Sequence, residues 1–309
     1  MKTFFIYDEI YLKHNKAGHP ENKSRLEAIL RHLNFSDINS KVYMEKPRRA
    51  EVEDVASIHD VSYIQEVKEF CEAGGGYLDP DTYANKHSYE VALYAVGGVI
   101  KAVELVKEGL AEAVFCAVRP PGHHAEYSKA MGFCLFNNVA IGARFAQKNG
   151  YEKVFIVDFD AHHGNGTQRS FYEDDTVFFF STHQYPFYPG TGSKEEIGSG
   201  KGKGFTLNIP MDAYSGDDEY IKVYSEDLPE AVNKFKPSII LVSAGYDLHI
   251  DDPLTQLNVT DKGIEIIVKN IVKLAEDLNI PLIFTLEGGY NTEALSRNVV
   301  NTLRVCVEC

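Results

Sequence analysis

Val154-Phe-Ile-Val-Asp158-Phe-Asp160-Ala-His162-His163-Gly-Asn165-Gly166 changes character halfway along its length. Val154 to Val157 are all apolar, rich in β-branched side chains, and follow a lysine and a glycine-containing turn. Such a run reads as a buried strand. Two carboxylates and two imidazoles then fall within Asp158–His163. In extended backbone successive side chains point to opposite faces, which puts Asp158, Asp160 and His162 on one face and His163 on the other. A carboxylate oxygen and an imidazole nitrogen two residues apart can bind one cation, and these ligand types suit zinc or a similar divalent metal. The plain alternative is a solvated polar loop. Three ligand-type side chains directly behind a buried strand argue against it.

Outward from this stretch the chain alternates between apolar runs and helical patterns. Phe4–Tyr7 reads as a first strand, and helices are expected from Ser24 to about Leu33, over Val52–Ile58 and over Ser62–Cys71. A long apolar stripe marks a helix over Ser88–Lys107, with Gly109 in its C-cap region. Further strands are predicted at Ala113–Val118, Val177–Phe180, Phe205–Ile209, Ser238–Val242 and Pro281–Thr285. Between them lie helices at about Asn137–Gln147, Thr167–Tyr172, Asp217–Phe235 and Thr260–Leu278, and Thr292 opens a closing helix. Strands alternating with helices imply a mostly parallel sheet with helices on both faces, an α/β fold. The strands are nearly continuous apolar runs, as expected when both faces are covered.

The 309 residues suffice for one α/β domain spanning 1–309. A net charge of −14 argues against a general grip on nucleic acid or an anionic membrane. Cys71, Cys116, Cys134, Cys306 and Cys309 are odd in number and widely spaced, which suggests reduced thiols and a cytoplasmic setting. The N-terminus has too short an apolar run for a signal peptide, and no run reaches transmembrane length. The composition leaves the oligomeric state open.

In open α/β sheets ligands bind beyond the carboxyl ends of the strands. Five such ends carry polar side chains: Arg119-Pro-Pro-Gly-His123-His124, the opening stretch, Ser181-Thr182-His183, Ser243-Ala-Gly-Tyr-Asp247 and Leu286-Glu287-Gly-Gly-Tyr290. Asp247 would complete a three-ligand site with Asp160 and His162, leaving a position open for water; turn capping is its other reading. Histidines at 123 and 124 suit a general base, unless they are ordinary loop residues. Tyr290 can donate to a developing oxyanion or serve as a packed core tyrosine. The loop aromatics near Gly132-Phe133 and Phe187-Tyr188 would wall a channel or anchor loops.

Arg119-Pro-Pro-Gly-His123-His124, Asp158-Phe-Asp160-Ala-His162-His163-Gly-Asn165-Gly-Thr167, Tyr188-Pro-Gly-Thr-Gly192, Ala244-Gly-Tyr-Asp247 and Glu287-Gly-Gly-Tyr290, in this order, resemble the histone deacetylase and acetylpolyamine amidohydrolase family. The resemblance runs from His19-Pro20-Glu21 to the Gly-Gly-Tyr290 turn and is most similar to class II and bacterial members. It implies a three-layer arginase-like α/β fold with a mostly parallel central sheet. It makes Asp160, His162 and Asp247 the ligands of one Zn2+. It makes His123 and His124 the tandem histidines, with His124 as base and acid and Asp158 hydrogen-bonded to His123. Asn165 stands where class I members carry an aspartate beside the second histidine. Tyr290 would polarise the amide carbonyl, and Gly132, Phe133 and Tyr188 would line an acyl-lysine channel. The carbonyls of Asp158, Asp160 and His162, with Ser181 and Thr182, match a site for K+ or Na+. Arg25 matches an internal-channel arginine.

The implied activity is metal-dependent hydrolysis of the N-acetyl-lysine amide in proteins or peptides, giving acetate and a free amine. Small acetylated amines such as acetylpolyamines are the second choice of substrate. Leu254 stands where polyamine-selective members carry a glutamate, which lowers that expectation. A dinuclear manganese hydrolase would need a richer Asp/His set. A non-catalytic acyl-lysine-binding protein is hard to reconcile with the full complement of catalytic side chains.

Overall fold

The structure, a computed structural model, describes residues 1–309. Its strands are β1 (Thr3–Ile6), β2 (Tyr43–Glu45), β3 (Gly75–Tyr77), β4 (Tyr83–Asn85), β5 (Ala113–Cys116), β6 (Val154–Asp158), β7 (Val177–Gln184), β8 (Thr206–Met211), β9 (Ile239–Ala244) and β10 (Leu282–Leu286). Its helices are α1 (Ser24–Phe35), α2 (Val52–Val55), α3 (Val61–Glu72), α4 (Ser88–Lys107), α5 (Asn138–Lys148), α6 (Asn165–Phe171), α7 (Asp217–Ser225), α8 (Asp227–Phe235), α9 (Asp261–Leu278) and α10 (Thr292–Glu308). No helix is long and apolar enough to cross a membrane.

Eight strands form one sheet in the order β2-β1-β5-β10-β9-β6-β7-β8. Every pairing in it is parallel. All eight carboxyl ends therefore open on one rim. β3 and β4 form a separate antiparallel hairpin.

Both faces of the sheet are covered, which explains the continuous apolar runs. Leu241 faces α5, where Gly142 lets the helix approach both Val99 of α4 and the sheet. On the opposite face Phe5, Phe115 and Phe284 stack across β1, β5 and β10. Phe235 of α8 packs against Phe155 and Phe178 on that same face. The strands β5, β6, β9 and β10 are buried throughout. One contiguous apolar core of 87 buried residues joins the layers.

Helix starts near the rim are fixed by side chains that accept otherwise unpaired N–H groups. Asn137 caps α5, Thr260 caps α9 and Asn291 caps α10. The last of these anchors the residue immediately after Tyr290.

Several boundaries differ from the sequence reading. The helix expected over Asp217–Phe235 is two helices that meet at Glu226, because Pro229 in the first turn of the second has no N–H to donate to the Ser225 carbonyl. β7 continues past Phe180 to Gln184, because Ser181, Thr182 and His183 all keep ladder partners on β8. α6 starts at Asn165 itself. The helix expected over Val52–Ile58 stops at Val55. β2 and the β3–β4 hairpin carry no alternating apolar pattern, and the sequence gives no sign of them.

Candidate metal and catalytic site

The rim brings Asp160, His162 and Asp247 together, with one ligand atom from each lying within 4.8 Å of the others. Asp160 and His162 follow β6, and Asp247 follows β9, its neighbour in the sheet. His162 Nδ1 lies 2.9 Å from Asp247 Oδ2 and 3.2 Å from Asp160 Oδ1. The remaining carboxylate oxygens are held by backbone: Gly288 N–H donates to Asp160 Oδ2 at 2.8 Å, and Ala161 N–H to Asp247 Oδ1 at 2.8 Å. Glycine is required at 288, since a Cβ there would run into both carboxylates.

Burial pushes the Asp247 carboxyl up to about 7, with the Asp160 charge adding to it and His162 opposing. Burial disfavours a charged His162 ring, yet Asp247 and Asp160 outweigh it and raise the ring to about 10. Two buried carboxylates thus converge on one imidazole nitrogen, whose proton lies between them where a cation could take its place.

Asp158 does not join this trio. Its Oδ2 lies 3.0 Å from His123 Nδ1, and its Oδ1 accepts the Asp160 N–H at 3.1 Å. Burial opposes charge on His123, but Asp160 and Asp158 raise it to about 10. His124 packs against His123, ring centroids 4.0 Å apart, and its Nδ1 is 2.8 Å from Asn165 Oδ1. Burial, then His123 and His162, hold His124 well below the ordinary imidazole range. His163 turns away onto Thr191 and Gln168.

A channel of about 200 Å3 leads to these groups, lined by His124, Gly132, Phe133, His162, Phe187, Tyr188, Leu254 and Tyr290, with Asp81 at its edge. Phe133 meets Tyr290 edge-on at 5.7 Å, and Tyr188 meets His124 edge-on at 5.2 Å. Phe187 stacks on His162 at 5.6 Å. Gly132 adopts a φ of +56°, and any side chain there would collide with the His124 ring.

Behind Tyr290 lies a buried ionic cluster. Arg25 sits 5.1 Å from the Tyr290 ring centre and donates to the carbonyls of Gly289 (2.7 Å) and Glu287 (2.5 Å). Glu21 bridges Arg25 and Arg119. Ser181 Oγ pairs with His183 Nδ1 at 2.8 Å and Thr182 Oγ1 with the Tyr224 hydroxyl at 2.9 Å. The backbone carbonyls of Asp160 and His162 accept no hydrogen bond from the protein.

Three contributors escape a reading of the sequence for chemistry. Glu287 accepts the backbone N–H groups of Gly122 (2.7 Å) and His123 (3.2 Å). Asp252 accepts the Tyr290 N–H at 2.7 Å. Asp81 reaches the channel edge from the loop before β4. The Glu in Glu-Gly-Gly-Tyr290 was a visible signal for the first; nothing marks the other two.

Residues 19–306 match the histone deacetylase domain model. A probable deacetylase of Archaeoglobus fulgidus is 41% identical over 297 residues, covering 95% of this chain and 82% of the relative. Histone deacetylase 14, chloroplastic, of Arabidopsis thaliana is 41% identical, covering 95% and 74%. The histone deacetylase-like amidohydrolase of Pseudomonas aeruginosa is 33% identical, covering 94% and 82%. The crystal structure of the HDA15 HD domain superposes with a TM-score of 0.95 at 33% identity, covering 99% of this chain and 90% of that one.

Proposed function

The chain belongs to the histone deacetylase family, a hydrolase of the deacetylase type with the arginase-like α/β fold; from that premise we propose that it is a zinc-dependent deacetylase of N-acetyl-lysine in peptides or proteins. The observation that carries the reading is the convergence of Asp160, His162 and Asp247 at the base of a narrow aromatic channel.

Asp160, His162 and Asp247 would hold the metal. Two carboxylates and one imidazole, with space left on the channel side, are the donor set and open coordination expected of a catalytic zinc site. Once bound there, zinc supplies Lewis-acid polarisation of an amide oxygen and of a water molecule. The flat channel walls of Phe133, Phe187 and Tyr188 suit an extended alkyl chain.

His124 Nδ1 is engaged by Asn165 Oδ1, so Nε2 is the nitrogen able to take a proton from the attacking water. The water oxygen bonds to the amide carbon. Tyr290, at the channel's inner end, donates its phenolic hydrogen to the resulting oxyanion. When the C–N bond breaks, a protonated imidazole of the pair returns a proton to the leaving amine, giving acetate and free amine. Asp158 fixes His123, and Glu287 fixes the backbone that carries both histidines. The unpaired carbonyls of Asp160 and His162, with that of Asp158 and with Ser181 and Thr182 nearby, would suit K+ or Na+ as a structural ion.

The reading is tested with metal-stripped and zinc-restored protein against acetyl-lysine peptides, acetylpolyamines and longer acyl-lysines. Acetate release from the peptides, restored by about one zinc per chain and lost in Asp160→Ala, is the expected result. Preference for acetylpolyamines would move the substrate to small amines. No hydrolysis by the zinc-loaded protein of any substrate would overturn the proposal.

A further inference from the structure

Asn165 has an amide with two distinct ends, and the chemistry of His124 depends on which end faces it. Oδ1 faces His124 Nδ1 at 2.8 Å. Nδ2 points the other way and donates to Glu126 Oε1 at 3.0 Å, with the His124 carbonyl oxygen and Met131 Sδ each 3.5 Å off. Carbonyl and amino ends are nearly the same size, so packing alone does not choose between them. The carboxylate weighs most in the choice, being the nearest of the three acceptors at Nδ2 and the charged one. If the amide turned over, its oxygen would face Glu126, acceptor against acceptor, and its NH2 would face His124. The imidazole would then carry its proton on Nε2, the nitrogen that must be free.

Glu126 is well placed for this task. Its backbone is fixed three times: its N–H donates to the Lys129 carbonyl at 2.9 Å, its carbonyl accepts the Lys129 N–H at 3.4 Å, and the buried His59 Nδ1 donates to the same carbonyl at 2.9 Å. The side chain is half-buried and looks into a polar cleft of about 950 Å3 that Asn165 separates from His124 and the acyl channel. Nothing in the hydrolytic chemistry above uses Glu126.

We propose that Glu126 is a positioning residue for the base: by accepting the Asn165 N–H it fixes the amide and, through it, holds His124 with its proton on Nδ1 and its lone pair on Nε2. Asn165 is neutral where a carboxylate would need no such orientation, since both its oxygens accept. The Glu126–Asn165 pair thus achieves with an oriented amide what a single aspartate achieves by symmetry. The inference rests on the reading of His124 as the base.

The test uses Glu126→Leu, Glu126→Gln, Asn165→Asp and the double variant Asn165→Asp/Glu126→Gln in the zinc-loaded protein. Glu126→Leu removes the acceptor and is expected to lower kcat about 10- to 100-fold with KM within about threefold, the range of a misdirected general base. Glu126→Gln keeps a carbonyl acceptor and retains kcat within about threefold of the starting protein. Asn165→Asp sets two carboxylates against each other and loses activity, and Glu126→Gln in that background restores most of it. A residue that only held the Glu126–Lys129 turn together would give no such rescue. Nitrogen-15 NMR of the His124 ring supplies a readout independent of turnover: Nδ1–H in the starting protein, a large Nε2–H fraction in Glu126→Leu. Should Glu126→Leu fail to fold, the Asn165→Asp pair decides, since both keep polar side chains. Unchanged kcat and tautomer in Glu126→Leu, or no rescue in the double variant, overturns the proposal. If the starting protein hydrolyses no acyl substrate, the deacetylase reading fails instead, and the ring tautomers still decide the role of Glu126.

Discussion

Asp252→Ala should impair catalysis more than it impairs folding. Asp252 is 7% exposed and touches neither the metal ligands nor the tandem histidines through any hydrogen bond. Its Oδ2 accepts the Tyr290 N–H at 2.7 Å and, more weakly, the Asn291 N–H at 3.4 Å; its Oδ1 accepts the Leu254 N–H at 2.9 Å. One carboxylate therefore pins the backbone of Tyr290, the proposed oxyanion donor, and of a channel-lining residue. Each short bond to a charged acceptor contributes about 1.5–3 kcal/mol. Against this stands the cost of burying the carboxylate, which raises its pKa despite those donors. Removing the side chain recovers that cost, so the net loss of folding stability is set at about 1–2 kcal/mol, a few degrees in Tm for a chain of this size. Tyr290 gains no such compensation. Loss of its anchor lets the turn sample other positions, and about 1.4–2.7 kcal/mol of misplacement corresponds to a 10- to 100-fold fall in kcat. Asp252→Asn keeps one acceptor oxygen and falls between. Steady-state kinetics on an acetyl-lysine peptide, paired with thermal unfolding, checks both halves. A folded Asp252→Ala protein with kcat within about twofold of the starting protein would refute the claim that this carboxylate positions Tyr290.

Tyr290→Phe removes the hydroxyl but keeps the ring between Phe133 and Arg25, so kcat should fall about 10²- to 10³-fold, as when one oxyanion donor is lost, with Tm unchanged; full activity would assign the oxyanion to another donor. Glu287→Gln is expected to be tolerated, because its carbonyl can take over the Gly122 and His123 N–H groups while its NH2 donates to the Ser243 hydroxyl, whereas Glu287→Leu leaves those donors unpaired and should lose both Tm and activity. Equal damage from both would show that the charge, not the acceptor, matters. Burial lowers His59 to about 4, below the roughly 6.5 of the unfolded chain, the hydrogen bond to the Glu126 carbonyl opposing only in part. The unfolded state therefore takes the proton first, and stability is full above about pH 6.5 and falls as the pH drops toward 4, by about 2 kcal/mol from this group at pH 5. His59→Gln, which keeps a donor and an acceptor without titrating, should show a smaller difference in Tm between pH 7 and pH 5, and an unaltered difference would remove His59 as the cause.

The sheet and half of the site could be read from the chain because they are written in local runs. Val154–Val157 marks a strand wherever it occurs, and Asp160 and His162 lie within five residues of its end. That Asp247 and Tyr290 could converge on them followed from the rule that parallel strands end on one rim, and the resemblance favoured that reading over turn capping and a core tyrosine; the structure makes every pairing in the main sheet parallel. What stayed hidden has a common physical character. Asp252, Glu126 and Asp81 act from loops whose position is set by backbone hydrogen bonds and not by any period of hydrophobicity. The break at Glu226 is a different case and could have been read: Pro229, in the first turn of α8, has no N–H to give the Ser225 carbonyl, so the Asp217–Phe235 pattern cannot run on as one helix.

The turn after β10 shows why those hidden contacts matter. Within four residues it offers the Glu287 carboxylate to the backbone of the tandem histidines, the Gly288 N–H to Asp160, and the Tyr290 ring to the channel. Arg25 grips the same turn from behind through the carbonyls of Glu287 and Gly289, and Asp252 grips it from the front through the Tyr290 N–H. A single rigid turn therefore sets the relative positions of the proposed base, metal ligand and oxyanion donor. Those distances must hold to a fraction of an ångström for the chemistry to run. This requirement accounts for two charged residues being buried against a turn whose own side chains form no ion pair with either, a costly arrangement if it served only to hold the fold together.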